Sequence, residues 1–166
     1  MIGRAVLAGA ALVLASSPVH AEGCPASTVD IGNWAIVRSA RVPGFTLRLP
    51  RAFTRDSAAL SDGSVPTARW SDAARARFTM SHRTGSTTAA PLPDAEGRAS
   101  YTRCEDRVGT ATATIVAYGE GTDSFVVHAH IRWPDGEALD VQANAIDRVR
   151  LEELIAAVRT IRRVGA

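Results

Sequence analysis

Ser124-Phe-Val-Val-His-Ala-His-Ile-Arg-Trp133 is a stretch in which apolar and polar side chains alternate. On a β-strand, residues two apart project from the same face. One face of this strand would therefore be wholly apolar, carrying Phe125, Val127, Ala129, Ile131 and Trp133. The opposite face would carry His128, His130 and Arg132. The pattern predicts a strand with one face in a core and the other in water.

Turn-forming residues flank this strand on both sides. Residues 119–123 (Gly-Glu-Gly-Thr-Asp) precede it, and residues 134–137 (Pro-Asp-Gly-Glu) follow it. Further strand-like segments lie beyond each turn, at residues 110–118 and 138–143. Strands separated by such short turns pair in an antiparallel manner, so the sequence predicts a three-stranded meander.

An amphipathic helix is predicted at the C-terminal end. Asp147 has the side chain of a good N-cap, and Glu and Arg residues follow in the order that suits the helix dipole. The apolar stripe consists of Leu151, Leu154, Ile155, Val158 and Ile161. Because an isolated helix of this length is unstable, we expect the stripe to lie on the apolar face of the meander.

The N-terminal half contains shorter strand signals. They lie at residues 34–37, 45–49, 67–70 and 75–82, separated by loops at residues 54–66 and 84–100. Strands come first and a single long helix comes last. The sequence therefore predicts an α+β domain with an antiparallel sheet of about six or seven strands, covered by the C-terminal helix.

Residues 1–21 have the features of a cleavable signal peptide. Arg4 precedes the uncharged apolar residues 5–15, and Val19 and Ala21 occupy the −3 and −1 positions of a cleavage site. The apolar run is shorter than the roughly 20 residues that span a bilayer. We expect export to the periplasm or the cell exterior, with residues 22–166 forming a single domain. A lipid anchor on Cys24 is disfavoured because Glu22 places a charge just before it.

The cysteine pair fits an oxidising compartment. Cys24 and Cys104 are the two cysteines of the chain, and in an exported protein they predict a structural disulfide. The bridge would close a loop of about 80 residues, which chain-entropy arithmetic makes worth roughly 4.5 kcal/mol at most.

The charged residues exclude several functions. The chain has 19 basic residues, all arginine, and 17 acidic residues. This near neutrality argues against a nucleic-acid partner. The absence of lysine excludes Schiff-base and Ser–Lys chemistry. No GxSxG, HExxH or glycine-rich nucleotide loop is present. We therefore expect a protein without a cofactor and without enzymatic activity.

The chain resembles the PsbP-like superfamily of extracytoplasmic proteins. The resemblance rests on residues 44–53 (Gly-Phe-Thr-Leu-Arg-Leu-Pro-Arg-Ala-Phe), on the meander, and on residues 157–162 (Ala-Val-Arg-Thr-Ile-Arg) of the terminal helix. It implies a non-enzymatic binding or assembly module with an envelope or protein partner. No functional residue is carried over from the family.

His128 and His130 offer a candidate metal site. Both imidazoles would project from one face of the same strand, with His82, Glu120 or Asp140 as a third ligand. A solvated polar strand face explains the same pattern. A metal-binding or small-molecule-binding protein, with metal-dependent catalysis as an extension, is therefore the alternative to the accessory module.

Arginines suggest a second candidate site. Arg75 and Arg77 lie on one predicted strand, and Arg103 and Arg107 bracket Cys104. If the two segments are adjacent, they would form a cationic face for phosphate or carboxylate groups. Surface arginines interspersed with acids explain the same residues.

Two further groups of residues are expected to have structural roles. Glu105 and Asp106 are expected to flank a turn. Trp34, Trp70 and Trp133 are expected in the core rather than in a ligand-stacking platform.

Overall fold

The computed structural model describes residues 23–56, 65–83 and 91–165. The predicted signal peptide lies outside these residues. In chain order the elements are β1 (Ala35–Arg38), β2 (Phe45–Leu49), β3 (Thr54–Arg55), β4 (Thr67–Ser71), β5 (Arg77–Arg83), β6 (Thr102–Val108), β7 (Ala111–Gly119), β8 (Phe125–Arg132), β9 (Ala138–Ala145), α1 (Arg148–Arg159) and β10 (Arg162–Arg163).

Seven strands form one large antiparallel sheet. Their order across the sheet is β3-β4-β5-β9-β8-β7-β6. The predicted meander is confirmed, because β7 pairs with β8 and β8 pairs with β9 in antiparallel register. The N-terminal strand β5 pairs with β9, so the two halves of the chain share one sheet.

The other three strands form a separate small sheet in the order β1-β2-β10. The prediction of a single sheet was therefore incomplete. β2 lies in the middle and pairs with β1 on one side and with the last strand, β10, on the other. Phe45, Leu47 and Leu49 of β2 are buried, as their alternation predicts.

Strand β6 was not predicted. Glu105 and Asp106 lie within it, paired opposite Thr114 and Ala113 of β7, and the strand leads into the turn at residues 109–110 that they were expected to flank. Asp106 belongs to the face of the sheet that α1 approaches, where its carboxylate accepts a 2.6 Å hydrogen bond from Nε of Arg159. This long-range partner explains how an acidic side chain can occupy that face.

One face of the large sheet supplies the main core. The alternating residues Val127, Ala129 and Ile131 of β8 are buried there, and the three tryptophans are buried as predicted. α1 contacts β8 and β9 of the large sheet, β6 at its edge, and β2 of the small sheet.

Local interactions fix both ends of α1. The side chain of Asp147 accepts a 2.7 Å hydrogen bond from the backbone N–H of Arg150, as expected for an N-cap. Leu151, Leu154 and Val158 of the predicted stripe are buried. Thr160 ends the helix and hydrogen-bonds through Oγ1 to the carbonyl of Ala157.

Cys24 and Cys104 form a disulfide, as predicted, with their Sγ atoms 1.98 Å apart. The backbone N–H of Cys24 also donates a 3.1 Å hydrogen bond to the carbonyl of Glu105. Both contacts hold the N-terminal segment against the edge strand β6. Within the described residues, no helix has the length and apolarity needed to cross a bilayer.

Candidate functional site

A cleft of about 480 Å³ lies on the face of the large sheet opposite the main core. Its floor is formed by side chains of β4, β5, β9 and β8. Tyr118 of β7 and residues 91–93 stand at one side, and Val65 stands at the other. The cleft contains both histidines of the sequence-predicted site, so we treat it as the candidate functional site.

Strand register arranges the floor in two rows across the sheet. In the first row Thr67, Ser81, Asp140 and His130 stand side by side on successive strands. In the second row Thr79, Gln142 and His128 follow the same order. Directly opposite residues in an antiparallel pair project from the same face, which brings these groups together.

The turn between β8 and β9 sets this register. The N–H of Trp133 donates to the carbonyl of Glu137 at 2.9 Å. Gly136 adopts φ +88°, a conformation that other L-residues rarely reach. Because the turn has this fixed length, His130 lies opposite Asp140 and His128 lies opposite Gln142.

Asp140 is the central charged group of the cleft. One carboxylate oxygen accepts a short hydrogen bond from Nε of Arg83, and the other lies 3.4 Å from Nε2 of His130. The three side chains are only 18–23 % exposed. The ion pair leaves the floor close to neutral, since the charges of Arg83 and Asp140 cancel.

Both histidines favour the neutral form. Burial lowers the pKa of His128 below its usual value, although the charge of Glu120 opposes this effect and that of His130 adds to it. Burial also lowers the pKa of His130, where Asp140 acts in the opposite direction and Arg83 and Arg132 act in the same direction. At neutral pH each imidazole therefore offers one hydrogen-bond donor and one acceptor.

A small apolar cluster forms the Tyr118 side of the cleft. Tyr118, Val116, Val126 and Ala95 form a small second cluster, against which Leu92 and Tyr101 pack. The ring of Tyr118 stacks on His128 with centroids 6.2 Å apart, and the Arg98 guanidinium lies 5.0 Å from the Tyr118 centroid. Burial and the neighbouring Glu120 raise the pKa of Tyr118, which therefore stays protonated.

Hydroxyl groups line the opposite side of the cleft. Oγ1 of Thr67 and Oγ of Ser81 are 3.1 Å apart and share a hydrogen bond, and Thr67 also donates to the carbonyl of Val65. Thr79 lies beside them on β5. The cleft thus combines hydroxyl, amide and imidazole groups in one layer.

The proposed third metal ligands are not all near the histidines. His82 belongs to the other face of β5, where it hydrogen-bonds Glu137 at 2.8 Å and packs against Phe45. Asp140 is the near neighbour of His130. Across residues 23–56, 65–83 and 91–165, no three His, Cys, Asp or Glu side chains form a group able to hold a metal ion. A metal site at His128 and His130 stays a prediction.

The four arginines of the predicted anion site lie in two separate places. Arg77 is on β5, with Arg75 in the turn before it, whereas Arg103 and Arg107 are on β6. Strands β9, β8 and β7 separate β5 from β6. The condition for a shared cationic face, adjacency of the two strands, is therefore not met. The sequence did not reveal this because strand order depends on long-range pairing.

A second cavity, of about 330 Å³, lies beside the disulfide between α1, residues 24–28, β6 and β7. Two arginines line it. Arg159 is engaged by Asp106 and by the carbonyl of Pro25, and Nε of Arg148 lies 3.8 Å from Oε1 of Glu152. It is lined by the hydroxyl residues Ser27, Thr28, Ser100 and Thr102 but by no histidine, whereas the histidine cleft combines hydroxyl and imidazole groups.

Several cleft residues were not predicted from the sequence. The strand register alone brings Ser81, Thr67 and Gln142 into the cleft. The signal that would have found Gln142 is the turn at residues 134–137, since counting outward from it pairs His130 with Asp140 and His128 with Gln142.

No protein-family model matches this chain, and no curated protein matches its sequence.

Proposed function

We propose that the protein is an exported, non-enzymatic binding module that holds a small, uncharged, hydrogen-bonding ligand in the histidine cleft. The observation that carries this proposal is the convergence of neutral His128 and His130, Gln142 and the Thr67–Ser81 hydroxyl pair on one cavity of about 480 Å³. Pockets for small molecules are typically concave, with a few convergent polar groups and partly buried titratable residues.

The charge of the cleft favours an uncharged ligand. Arg83 and Asp140 neutralise each other, and the lowered pKa values keep both imidazoles neutral. What remains are donors and acceptors on one face of the sheet, two residues apart along each strand. Polyhydroxylated molecules such as saccharides present matching groups on one face of a ring.

The overall architecture supports a role in binding. α1 contacts β6, β8 and β9 from the core side of the large sheet, and the cleft lies on the opposite face. The disulfide between Cys24 and Cys104 suits an exported protein. The resemblance to the PsbP-like superfamily, whose members are mostly binding or assembly modules, points in the same direction.

The order of groups in the first row argues against Ser81 as a nucleophile activated by His130. Nucleophilic catalysis by serine needs a histidine in contact with the hydroxyl. Here Asp140 stands between Ser81 and His130, because β9 lies between β5 and β8. Ser81 instead bonds to Thr67.

Amide chemical shifts recorded during titration with neutral mono- and oligosaccharides would test the proposal. We expect saturable shifts confined to the strands of the cleft, lost in the His128→Ala/His130→Ala variant. Thr112→Ala is the matched control, because Thr112 is exposed on β7 outside the cleft. Shifts that survive in the double variant, or that are absent for every saccharide, would overturn the proposal.

A parallel titration with zinc, copper and nickel addresses the metal alternative. A ligand that binds only the native state raises the melting temperature. A metal-dependent rise that disappears in His128→Ala/His130→Ala would replace the saccharide proposal by a metal site. The absence of any rise would remove the metal alternative.

A further inference from the structure

The outer face of the small sheet carries arginines and no acidic residue. Thr46 of β2 stands opposite Arg38 of β1 on one side and Arg162 of β10 on the other. Next to this row, Arg48 stands opposite Ile36. These five residues project away from the buried Phe45, Leu47 and Leu49, and we call them the basic face.

The surrounding sequence is equally one-sided. Residues 31–55 contain five arginines and residues 158–166 contain three, and neither stretch contains an aspartate or a glutamate. The rest of the chain contains the other 11 basic residues and all 17 acidic residues. These two stretches therefore carry a net positive charge, and the remainder of the chain is net negative.

The arginines of the basic face are not engaged with carboxylates. Elsewhere Arg159 pairs with Asp106, and Arg163 pairs with Asp135 and Glu137. Among the described residues, no carboxylate lies within ion-pair distance of Arg38, Arg48 or Arg162. Arg41, in the turn between β1 and β2, is likewise exposed.

Aliphatic side chains are exposed beside these arginines. Ile36 is 61 % exposed on the edge strand β1. Val164 is 49 % exposed and follows β10, where its N–H donates to the carbonyl of Gly44 at 2.7 Å. Surfaces that combine basic and aliphatic side chains suit the headgroup region of a bilayer, where apolar groups insert and basic groups contact phosphates.

We infer that the basic face docks the protein on an anionic membrane surface, with guanidinium groups on lipid phosphates and with Ile36 and Val164 entering the interface. Guanidinium binds phosphate through paired hydrogen bonds. An anionic lipid surface presents negative charge over a wide area. A protein partner would also present basic residues, and the basic face offers no carboxylate to pair with them. The negative remainder of the molecule is repelled, which fixes the docking orientation.

Binding to vesicles of neutral phosphatidylcholine, with and without 30 % phosphatidylglycerol, would test the inference. This fraction of phosphatidylglycerol gives the vesicles a negative surface potential comparable to that of a natural anionic leaflet. We expect binding only to the anionic vesicles and a loss of binding as salt rises. Each basic residue near such a surface contributes about fivefold in partition coefficient.

The decisive variant is Arg38→Gln/Arg41→Gln/Arg48→Gln, which removes three charges from this side. We expect the partition coefficient to fall roughly 100-fold, because three losses of about fivefold each multiply. The control, Arg77→Gln/Arg103→Gln/Arg107→Gln, removes the same charge from the large sheet and is expected to change binding less than fivefold. Equal losses in both variants would overturn the inference, as would no binding to anionic vesicles.

The Ile36→Ser variant distinguishes binding to a bilayer from binding to other anions. The substitution should weaken vesicle binding several-fold and leave the weak binding of polyglutamate or inorganic phosphate unchanged. Tighter binding to polyglutamate than to vesicles, unaffected by Ile36→Ser, would assign the face to an acidic protein and overturn the membrane inference. Circular dichroism spectra that match the unsubstituted protein establish that each variant is folded.

Discussion

Nε2 of His130 lies 3.4 Å from Oδ1 of Asp140, across the register pair that joins β8 to β9. The other oxygen of the same carboxylate accepts the hydrogen bond of Arg83. Asp140 thus contacts both the charged Arg83 and the neutral His130 on the floor of the cleft. Its removal should change the ion pairing of Arg83 and the pKa of His130.

Stability should fall as the pH drops below about 6.5, the usual pKa of histidine. Burial lowers the pKa of His128 and of His130, so the unfolded chain takes up protons before the folded protein does. The stabilisation is complete above the unfolded pKa and is lost as the pH falls toward the lower folded values. Urea unfolding between pH 7.5 and 5.5 measures it. A His128→Asn/His130→Asn variant should show a shallower decline, and an equal decline would contradict this account.

Asp140→Asn should lower the pKa of His130 further, because the carboxylate charge is the group that raises it. The same change removes the charge with which Arg83 pairs and should cost about 1–3 kcal/mol in the free energy of unfolding. Proton NMR titration of the imidazole and urea unfolding measure the two effects. Asp123→Asn, in the exposed turn before β8, is the control expected to change neither. A raised pKa of His130 would refute the prediction.

Replacing both cysteines by serine should lower the free energy of unfolding by about 2–5 kcal/mol. The disulfide spans a sequence separation of 80 residues, so its loss greatly increases the freedom of the unfolded chain. Chemical denaturation of the Cys24→Ser/Cys104→Ser protein measures the effect, with the reduced unsubstituted protein as a second sample. Two titratable thiols in the native protein would contradict the bridge.

Asp147→Ala should destabilise the protein by about 1 kcal/mol, since it removes the acceptor for the N–H of Arg150 at the first turn of α1. Asp147→Asn keeps an acceptor oxygen and should retain most of the stability. Thermal unfolding of the two variants measures the difference. Equal losses would show that the side chain acts through its charge rather than through the cap.

Local patterns were sufficient to predict the elements that bury one clean apolar face. The alternation of Val127, Ala129 and Ile131 predicted β8, and that of Phe45, Leu47 and Leu49 predicted β2. Asp147 correctly marked the start of α1. In each case the sequence signal and the burial arise from the same few neighbouring residues.

Elements that depend on distant partners escaped prediction. β6 places Asp106 on the side of the sheet that α1 approaches, which breaks the expected alternation, and Arg159 compensates for this charge. β10 consists of Arg162 and Arg163 alone and is a strand because it pairs with β2. A short charged dipeptide carries no strand signal of its own.

The candidate site was predicted in part. His128 and His130 do project from one face, and Asp140 was among the expected neighbours. His82 was also expected there, but it lies on the opposite face of β5, because it is one residue away from both Ser81 and Arg83 and successive strand residues point to opposite faces. The separation of the arginine pairs followed from sheet order, which no local pattern encodes.

The pairing of Thr46 with Arg162 has a consequence for biogenesis. The middle strand of the small sheet is synthesised early, whereas its second neighbour, β10, follows α1 in the chain. The small sheet therefore cannot be completed until β10 has left the ribosome. Until then one edge of β2 stays unpaired while all seven strands of the large sheet are being made.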